Sequence, residues 1–219
     1  MNHDKLRTQN SIHTQGGVPP PGRQLKQSLW RFIMSQRETY AVEVAGIKRE
    51  LRLFEIKPGL KIAILNILGD TEFVQACARE LAAKLKDKDY DVLVTAEAKA
   101  IPLAHALPVE TKKPYVVLRK SFKPYMGDAL KAETLSITTG QPQTLILDEK
   151  DIEIMKGKRV VILDDVVSTG STLQGMRMIM DQTASTVVGE AAIFTEGDRD
   201  QWLHILALGH LPLFVNENK

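Results

Sequence analysis

Hydrophobic residues in the second half of the chain fall in short aliphatic runs that end in polar or small residues. The clearest run, Val160–Leu163 in "RVVILDDVVSTGST", is followed directly by Asp164 and Asp165. A continuous aliphatic run of this length predicts a strand covered on both faces, as in a parallel sheet. We expect the strand to stop at the two acids, and a loop of small residues to lead into a helix over "LQGMRMIMDQ".

Further aliphatic runs predict strands at residues 60–68, 90–96 and 114–120, at "TVVGEAAIF" and, last, at "LPLF". Two intervening segments predict helices: "EFVQACARELAAKL", with Asp70 or Thr71 as its N-cap and apolar residues four apart, and "IPLAHAL". Strands that alternate with helices predict right-handed crossovers, a parallel sheet and a ligand site at the carboxyl ends of the strands. The expected fold class is therefore α/β.

The N-terminal part of the chain differs in composition. Residues 1–24 are polar and contain Gly-Gly and Pro-Pro-Pro, which predicts a flexible leader and not a signal peptide, because an apolar core is missing. Residues 28–56 mix a short amphipathic helix with two alternating strand-like pieces, which predict a small cap. The length of 219 residues suits one α/β domain with such additions, and we assign residues 25–219 to it.

Charge and cysteine content narrow the function classes. Lys and Arg total 29 against 27 Asp and Glu, without a basic block, so a nucleic-acid partner is not expected. The one cysteine, Cys77, excludes an internal disulfide and suits the reducing cytoplasm. No apolar run approaches the roughly 20 residues that cross a bilayer, so no membrane partner is expected. The remaining expectation is a small-molecule partner.

The segment "DDVVSTGST" predicts the chemistry of that partner. A strand, a short loop and a helix N-terminus present unpaired N–H groups at the positive end of a helix dipole, which suits a phosphate monoester. Asp164 and Asp165 would repel the phosphate, so they need a neutral polyol or a cation beside it. A ribose 5-phosphate meets both needs, with its hydroxyls donating to the acids and a divalent ion nearby. The alternative is an ordinary solvated turn.

The stretch "VVILDDVVSTGST" resembles the phosphoribosyl pyrophosphate (PRPP) motif of class I phosphoribosyltransferases. In that family the two acids contact the ribose hydroxyls and the following loop cradles the 5-phosphate. The resemblance implies the first role for Asp164 and Asp165. It implies substrate contacts for the residues that follow them, namely Val166, Val167, Ser168, Thr169, Gly170, Ser171 and Thr172.

A second stretch, "EAKAIPLAHAL", follows the strand predicted at residues 90–96 and should lie on the same edge of the sheet. It is similar to the pyrophosphate loop of adenine phosphoribosyltransferases. The resemblance implies that Glu97, Ala98 and Lys99 contact the substrate. Lys99 stands where that family has Arg, and Ala100 where it has Gly.

A third stretch, "PYVVLRKSFK", is similar to a strand in the same family that ends in Arg-Lys. It implies a set of cations for the pyrophosphate: Arg119, Lys120 and Lys123. Arg and Lys commonly hold phosphoryl oxygens through charge-assisted hydrogen bonds. The alternative is a solvated basic turn.

Between the Arg-Lys strand and the PRPP-like motif, "ETLSI" and "QTLIL" flank a Thr-Thr-Gly-Gln-Pro turn, which predicts a β-hairpin. The resemblance implies that this hairpin is a flexible hood that closes over PRPP. A lid would shield the reactive ribosyl centre from water. A static surface hairpin is the alternative.

The other polar residues predict little chemistry. Glu196 and Asp198 follow a predicted strand, and we expect an acidic turn there, with a position facing the base as the alternative. His105 and His204 lie in apolar contexts that predict packed or surface residues. No His/Cys cluster has the spacing of a zinc site.

Taken with the motif, the resemblance implies a Rossmann-like phosphoribosyltransferase that moves the 5-phosphoribosyl group from PRPP to a purine base, adenine first, and releases pyrophosphate. Catalysis would use Asp164, Asp165, Arg119 and Lys120. The implied cofactor is Mg²⁺, held mainly by PRPP, with the two acids as candidate protein ligands, and the expected assembly is a homodimer. Two alternatives stay open: a non-catalytic PRPP-sensing regulator, and a transferase for xanthine, hypoxanthine or another base.

Overall fold

The computed structural model describes residues 38–135 and 142–215. The strands are β1 (Thr39–Val44), β2 (Ile47–Lys57), β3 (Leu60–Ile64), β4 (Val92–Ala96), β5 (Tyr115–Leu118), β6 (Leu130–Leu135), β7 (Pro142–Leu147), β8 (Arg159–Val167), β9 (Thr186–Glu196), β10 (Leu206–Leu211) and β11 (Phe214–Val215). The α-helices are α1 (Thr71–Leu85), α2 (Ile101–Thr111), α3 (Glu149–Met155) and α4 (Ser171–Gln182). Short 3-10 helices occupy Pro124–Met126 and Arg199–Trp202.

Several sequence expectations lie outside these described residues: the leader at 1–24, the helix expected after residue 28, and the tip of the hairpin at 136–141. Within the described ranges, no helix is long and apolar enough to cross a membrane.

Five strands form the parallel sheet that the alternation of strands and helices predicted. Their order is β10-β9-β8-β4-β5, and every neighbouring pair is parallel. The aliphatic run at 160–163 lies in the central strand β8 and is fully buried. Successive strand residues point to opposite faces, and each face packs on its own core. Helices α1 and α2 contribute to one core, and α4 with the hairpin to the other. The α/β fold class is confirmed.

A second, antiparallel sheet has the strand order β1-β2-β3-β11. Its first two strands are the alternating pieces expected in the cap. The run at 60–68, which the alternation grouped with the parallel strands, instead forms β3, ends at Ile64 and pairs antiparallel with β2. The physical reason is the connection. Only Pro58 and Gly59, with its φ of +77°, separate β2 from β3, and a parallel pair needs a crossover of about a dozen residues or more.

Helix α1 begins where the sequence indicated. The side chain of Asp70 accepts a hydrogen bond from the backbone N–H of Phe73 at 3.2 Å, so Asp70 is the N-cap. The apolar residues four apart are buried, namely Phe73, Cys77, Leu81 and Leu85. Burial raises the pKa of the Cys77 thiol to about 12, so this cysteine stays protonated and serves packing.

The predicted hairpin is present as β6 and β7, paired antiparallel from Leu130 with Leu147 to Leu135 with Pro142. Leu145 of β7 is fully buried against α4. At that contact a Cβ on Gly175 would lie 2.9 Å from Cδ1 of Leu145, so the glycine permits the close approach of hairpin and helix. The base of the hairpin is therefore part of the core.

Candidate active site

The candidate site lies where the strand order reverses. From β4 the chain crosses over to β5 on one side, and later places β8 on the other side of β4. Ligands of open α/β sheets bind outside the carboxyl ends of the strands at such a switch point. The turn at residues 97–100 follows β4, and Asp164 and Asp165 lie near the end of β8. The sequence-predicted segments therefore share one edge of the sheet.

The strand does not stop at the two acids, contrary to the sequence expectation. β8 continues through Val167, with Val166 paired to Phe194 and Val167 to Thr195 of β9. The backbone of β9 continues the ladder past the acids, so their polarity does not end the strand. Val166 and Val167 are thus strand residues, not loop residues, and the Val167 side chain is 2 % exposed in the core. The loop is confined to residues 168–170.

Asp164 and Asp165 occupy different environments because successive strand residues point to opposite faces. Asp165 is only 5 % exposed, whereas Asp164 is half-buried. The Oδ1 of Asp164 accepts a hydrogen bond from the backbone N–H of Asp165 at 2.9 Å. Burial, together with the neighbouring Asp165 carboxylate, raises the pKa of Asp164 well above the usual range of a carboxyl. The acids therefore do not lie at a freely solvated strand end.

The loop after β8 has the form that suits a phosphate. Gly170 adopts a φ of +76° and precedes Ser171, the first residue of α4, without a side-chain cap on the helix. The hydroxyls of Thr169 and Ser171 lie 3.2 Å apart. Ser171 and Thr172 are the first two residues of α4, and the backbone N–H groups of a first helical turn have no partner within the helix. The sequence-predicted strand, loop and helix N-terminus are confirmed, and phosphate binding there stays a prediction.

Lys99 connects the turn after β4 with the acids of β8. Its Nζ lies 2.8 Å from Oδ2 of Asp165 and donates to the backbone oxygen of Leu65 at 3.3 Å. The Lys99 side chain is 48 % exposed, while that of Asp165 is 7 % exposed. Ala98 beside it is exposed and Ala100 is buried. This lysine therefore faces both the solvent and the buried carboxylate.

Glu97 and Arg119 join the ends of β4 and β5. The Nε of Arg119 donates to Oε2 of Glu97 at 2.6 Å, and the backbone N–H of Lys120 donates to Oε1 at 2.6 Å. Burial by itself would raise the pKa of Glu97, but these two hydrogen bonds outweigh it and hold the pKa below its usual range. The Lys120 and Lys123 side chains are exposed. Arg119 thus contacts Glu97 through its Nε, and the Lys120 and Lys123 side chains are exposed to solvent. Contact of these three cations with a pyrophosphate stays a prediction.

Two residues support the loop: Glu196, to which sequence reasoning gave little weight, and Trp202, which it did not single out. Glu196 is the last residue of β9, is 4 % exposed and accepts a hydrogen bond from Oγ of Ser168 at 2.6 Å, so the expected acidic turn is wrong for this residue. Burial raises its pKa. The Nε1 of Trp202 donates to the backbone oxygen of Glu196 at 3.0 Å, and its ring lies against Gly170. Asp198, which caps the following 3-10 helix, does lie in a turn.

A family model described as phosphoribosyl transferase domain matches residues 65–205. This range includes all three segments of the site and more than half of the chain. The chain belongs to the phosphoribosyl transferase domain family. The resemblance read from the PRPP-like motif is confirmed.

Curated relatives of this phosphoribosyltransferase domain include regulators and enzymes. The purine biosynthesis transcriptional repressor PurR of Bacillus subtilis is 28% identical over 163 residues, 72% of this chain and 56% of that protein. An orotate phosphoribosyltransferase of Archaeoglobus fulgidus is 28% identical over 141 residues, covering 64% and 68%. A hypoxanthine/guanine phosphoribosyltransferase of Methanococcus voltae is 34% identical over 112 residues, covering 51% and 56%. The chain spans about half the length of the regulators that it matches.

Among solved structures, the domain is similar to the adenine phosphoribosyltransferase of Thermoanaerobacter pseudethanolicus. The TM-score is 0.61 at 22% identity, and the match covers 73% of this chain and 95% of that one. At this level of identity the likeness shows the fold. It confirms the phosphoribosyltransferase fold that the resemblance implied.

Proposed function

We propose that the protein transfers the 5-phosphoribosyl group from PRPP to a purine base, with adenine as the first base to test, and releases pyrophosphate. The observation that carries the proposal is the meeting of three segments at one sheet edge. They are the hydroxyl-rich loop at the N-terminus of α4, the acids of β8, and the cation-bearing ends of β4 and β5. This set matches the phosphate, the ribose hydroxyls and the pyrophosphate of PRPP in turn.

Each group of residues has a role in this proposal. The loop at 168–170 and the first turn of α4 bind the 5-phosphate, and Asp164 with Asp165 accepts hydrogen bonds from the ribose hydroxyls. Lys99, Lys120 and Lys123 hold the departing pyrophosphate. Glu97 and Arg119 fix the ends of β4 and β5 from which these lysines extend. Orientation and electrostatic stabilisation of the leaving group would supply most of the rate acceleration.

The donor set also fits Mg²⁺ as the proposed cofactor. Within residues 38–135 and 142–215, no group of three or more His, Cys, Asp or Glu side chains is arranged to hold a metal ion by itself. Mg²⁺ is typically bound through one or two carboxylates together with substrate phosphates. The half-buried Asp164 can supply such a carboxylate beside PRPP. When bound, the ion would neutralise charge that develops on the pyrophosphate.

A second candidate function is PRPP binding without catalysis. The observation in its favour is the match to PurR, a transcriptional repressor of which this chain covers 56%. Both candidates use the same PRPP site. They differ in whether a base is bound and consumed. The relatives are named for different bases, orotate and hypoxanthine/guanine, so the base that this protein accepts must be determined by experiment.

The deciding experiment measures product and binding on the same preparation. The protein is incubated with PRPP and Mg²⁺ and, separately, adenine, hypoxanthine, guanine, xanthine or orotate, and nucleotide and pyrophosphate are quantified. PRPP affinity is measured by isothermal titration. Turnover with a purine supports the proposal. PRPP binding without turnover of any base supports the regulator, turnover of orotate alone refutes the purine assignment, and absence of PRPP binding refutes both candidates.

A further inference from the structure

We propose that Lys99 is an exchangeable counter-ion, which neutralises Asp165 in the free protein and moves to the pyrophosphate when PRPP binds. The pyrophosphate would thereby uncover the carboxylate that receives the ribose. This inference rests on the proposed function, since it concerns the same site. It explains how the protein would distinguish PRPP from a ribose phosphate that lacks pyrophosphate.

The first observation is the state of Asp165. Its Oδ2 is fully buried and lacks a hydrogen bond of good geometry, although the Lys99 ammonium lies only 2.8 Å away. A buried carboxylate that lost this cation would be left without compensation, next to the Asp164 carboxyl. A ribose hydroxyl that is to donate to Oδ2 must therefore compete with the lysine.

The second observation is that the Lys99 side chain is open to solvent. It lies on the exposed turn at 97–100, its side chain is 48 % exposed, and its other polar contact is a hydrogen bond of 3.3 Å to the backbone oxygen of Leu65. Because the lysine side of this pair is open to solvent, the ammonium can leave the carboxylate without passing through the core. The flexible four-carbon stem lets the ammonium change partners, and a pyrophosphate offers it more negative charge than one carboxylate does.

The third observation is the contrast with Arg119, at the neighbouring strand end. Its guanidinium donates to Glu97 at 2.6 Å, and the backbone N–H of Lys120 fixes the other oxygen of that carboxylate at 2.6 Å. The Glu97 carboxylate thus binds both Arg119 and a backbone N–H, whereas Lys99 is the cation at Oδ2 of Asp165 and is itself 48 % exposed. In this proposal Arg119 positions Glu97, and Lys99 is the cation that changes partner from Asp165 to the pyrophosphate.

The test compares two ligands on three proteins by isothermal titration. PRPP carries the pyrophosphate that recruits Lys99, and ribose 5-phosphate does not. Lys99→Met removes the competitor for Asp165, so this variant should bind ribose 5-phosphate at least about threefold more tightly than wild type. It also loses a cation for the pyrophosphate, so it should bind PRPP at least about tenfold more weakly. The control, Lys123→Met, removes a proposed pyrophosphate cation without contact to Asp165. It should weaken PRPP binding and leave ribose 5-phosphate unchanged.

Lys99→Gln serves as a second variant, with circular dichroism to verify folding of each protein. If the Lys99 variants bind ribose 5-phosphate equally or less tightly than wild type, or if their PRPP affinity is unchanged, the exchange is refuted. If the exchange is refuted in this way but the wild-type protein binds PRPP, the proposed function is not affected. If wild type binds no PRPP, the proposed function and this inference fail together.

Discussion

Replacing Gly170 with alanine tests the proposed phosphate loop without changing its charge. Gly170 has a φ of +76°, and a Cβ on it would lie 2.9 Å from Cη2 of Trp202. The Trp202 ring is not free to move away, because its Nε1 donates to the backbone oxygen of Glu196 at 3.0 Å. Alanine must therefore shift the loop or break that hydrogen bond, and either change disturbs the surroundings of Ser168 and Thr169.

The size of the effect follows from two contributions. A left-handed backbone costs a residue other than glycine about 1–2 kcal/mol. Overpacking against a fixed side chain adds about 1–3 kcal/mol. Gly46, in the turn between β1 and β2, has a φ of +74° and no atom within 4 Å of a built Cβ, so Gly46→Ala carries the first contribution alone. We expect a loss of about 1–2 kcal/mol for Gly46→Ala and of about 2–5 kcal/mol for Gly170→Ala.

The assay combines urea denaturation with titration of PRPP in the presence of Mg²⁺. Gly46→Ala should bind PRPP like wild type, whereas Gly170→Ala should bind it at least about tenfold more weakly, a loss of about 1.4 kcal/mol. Trp202→Leu removes the ring that the new methyl group meets. In that background Gly170→Ala should cost no more stability than Gly46→Ala does in wild type, as a double-mutant cycle would show.

Two results would refute this reasoning. Equal stability losses for Gly170→Ala and Gly46→Ala would show that the Trp202 contact does not constrain the loop. Wild-type PRPP affinity in Gly170→Ala, with the stability loss present, would show that the loop is not where the phosphate binds.

Three further predictions concern pH, a partly buried ion pair and the hairpin. Folding raises the pKa of Asp164. Below about pH 4 its carboxyl is protonated in both the folded and the unfolded protein, so it does not change the free energy of unfolding. As the pH rises toward the folded-state pKa, it lowers the free energy of unfolding increasingly. Urea unfolding at pH 5 and pH 8.5 should therefore show a larger loss for wild type than for Asp164→Asn, and parallel losses would contradict the shift. Arg177→Met should destabilise the protein by about 2 kcal/mol, less than the ~3–5 kcal/mol of a fully buried pair because solvent reaches the arginine. The substitution leaves Glu190, which is 6 % exposed, without two hydrogen bonds of 2.7 Å. Ordinary surface substitutions change stability by less than about 0.5 kcal/mol, so a loss of unfolding free energy below that value, measured in urea, would contradict the prediction. If the hairpin closes over PRPP, the backbone amides of residues 131–135 and 143–146 should exchange hydrogen more slowly with PRPP and Mg²⁺ than without. Unchanged exchange rates would indicate a static hairpin.

The sequence determined those features of the protein that are encoded locally. The run at 160–163 fixes a buried strand, the apolar spacing with Asp70 fixes α1, and the motif that begins at Asp164 identifies the phosphoribosyltransferase family. Each of these signals depends on neighbouring residues in one segment, where periodicity, capping and backbone freedom act directly. The parallel sheet followed, because the alternation of strands and helices restricts how the strands can be joined.

The tertiary structure decided which distant side chains meet. No local pattern indicates that Lys99 reaches Asp165, that Glu196 accepts from Ser168, or that Trp202 limits Gly170. These contacts depend on the order of strands in the sheet, which places β4 and β9 on either side of β8. The same order keeps β8 extended past its acids, because β9 continues to supply backbone partners there. Where a strand ends and which side chain a residue contacts both depend on neighbours that are distant in sequence. Those neighbours are brought close only when the strands pair into the sheet.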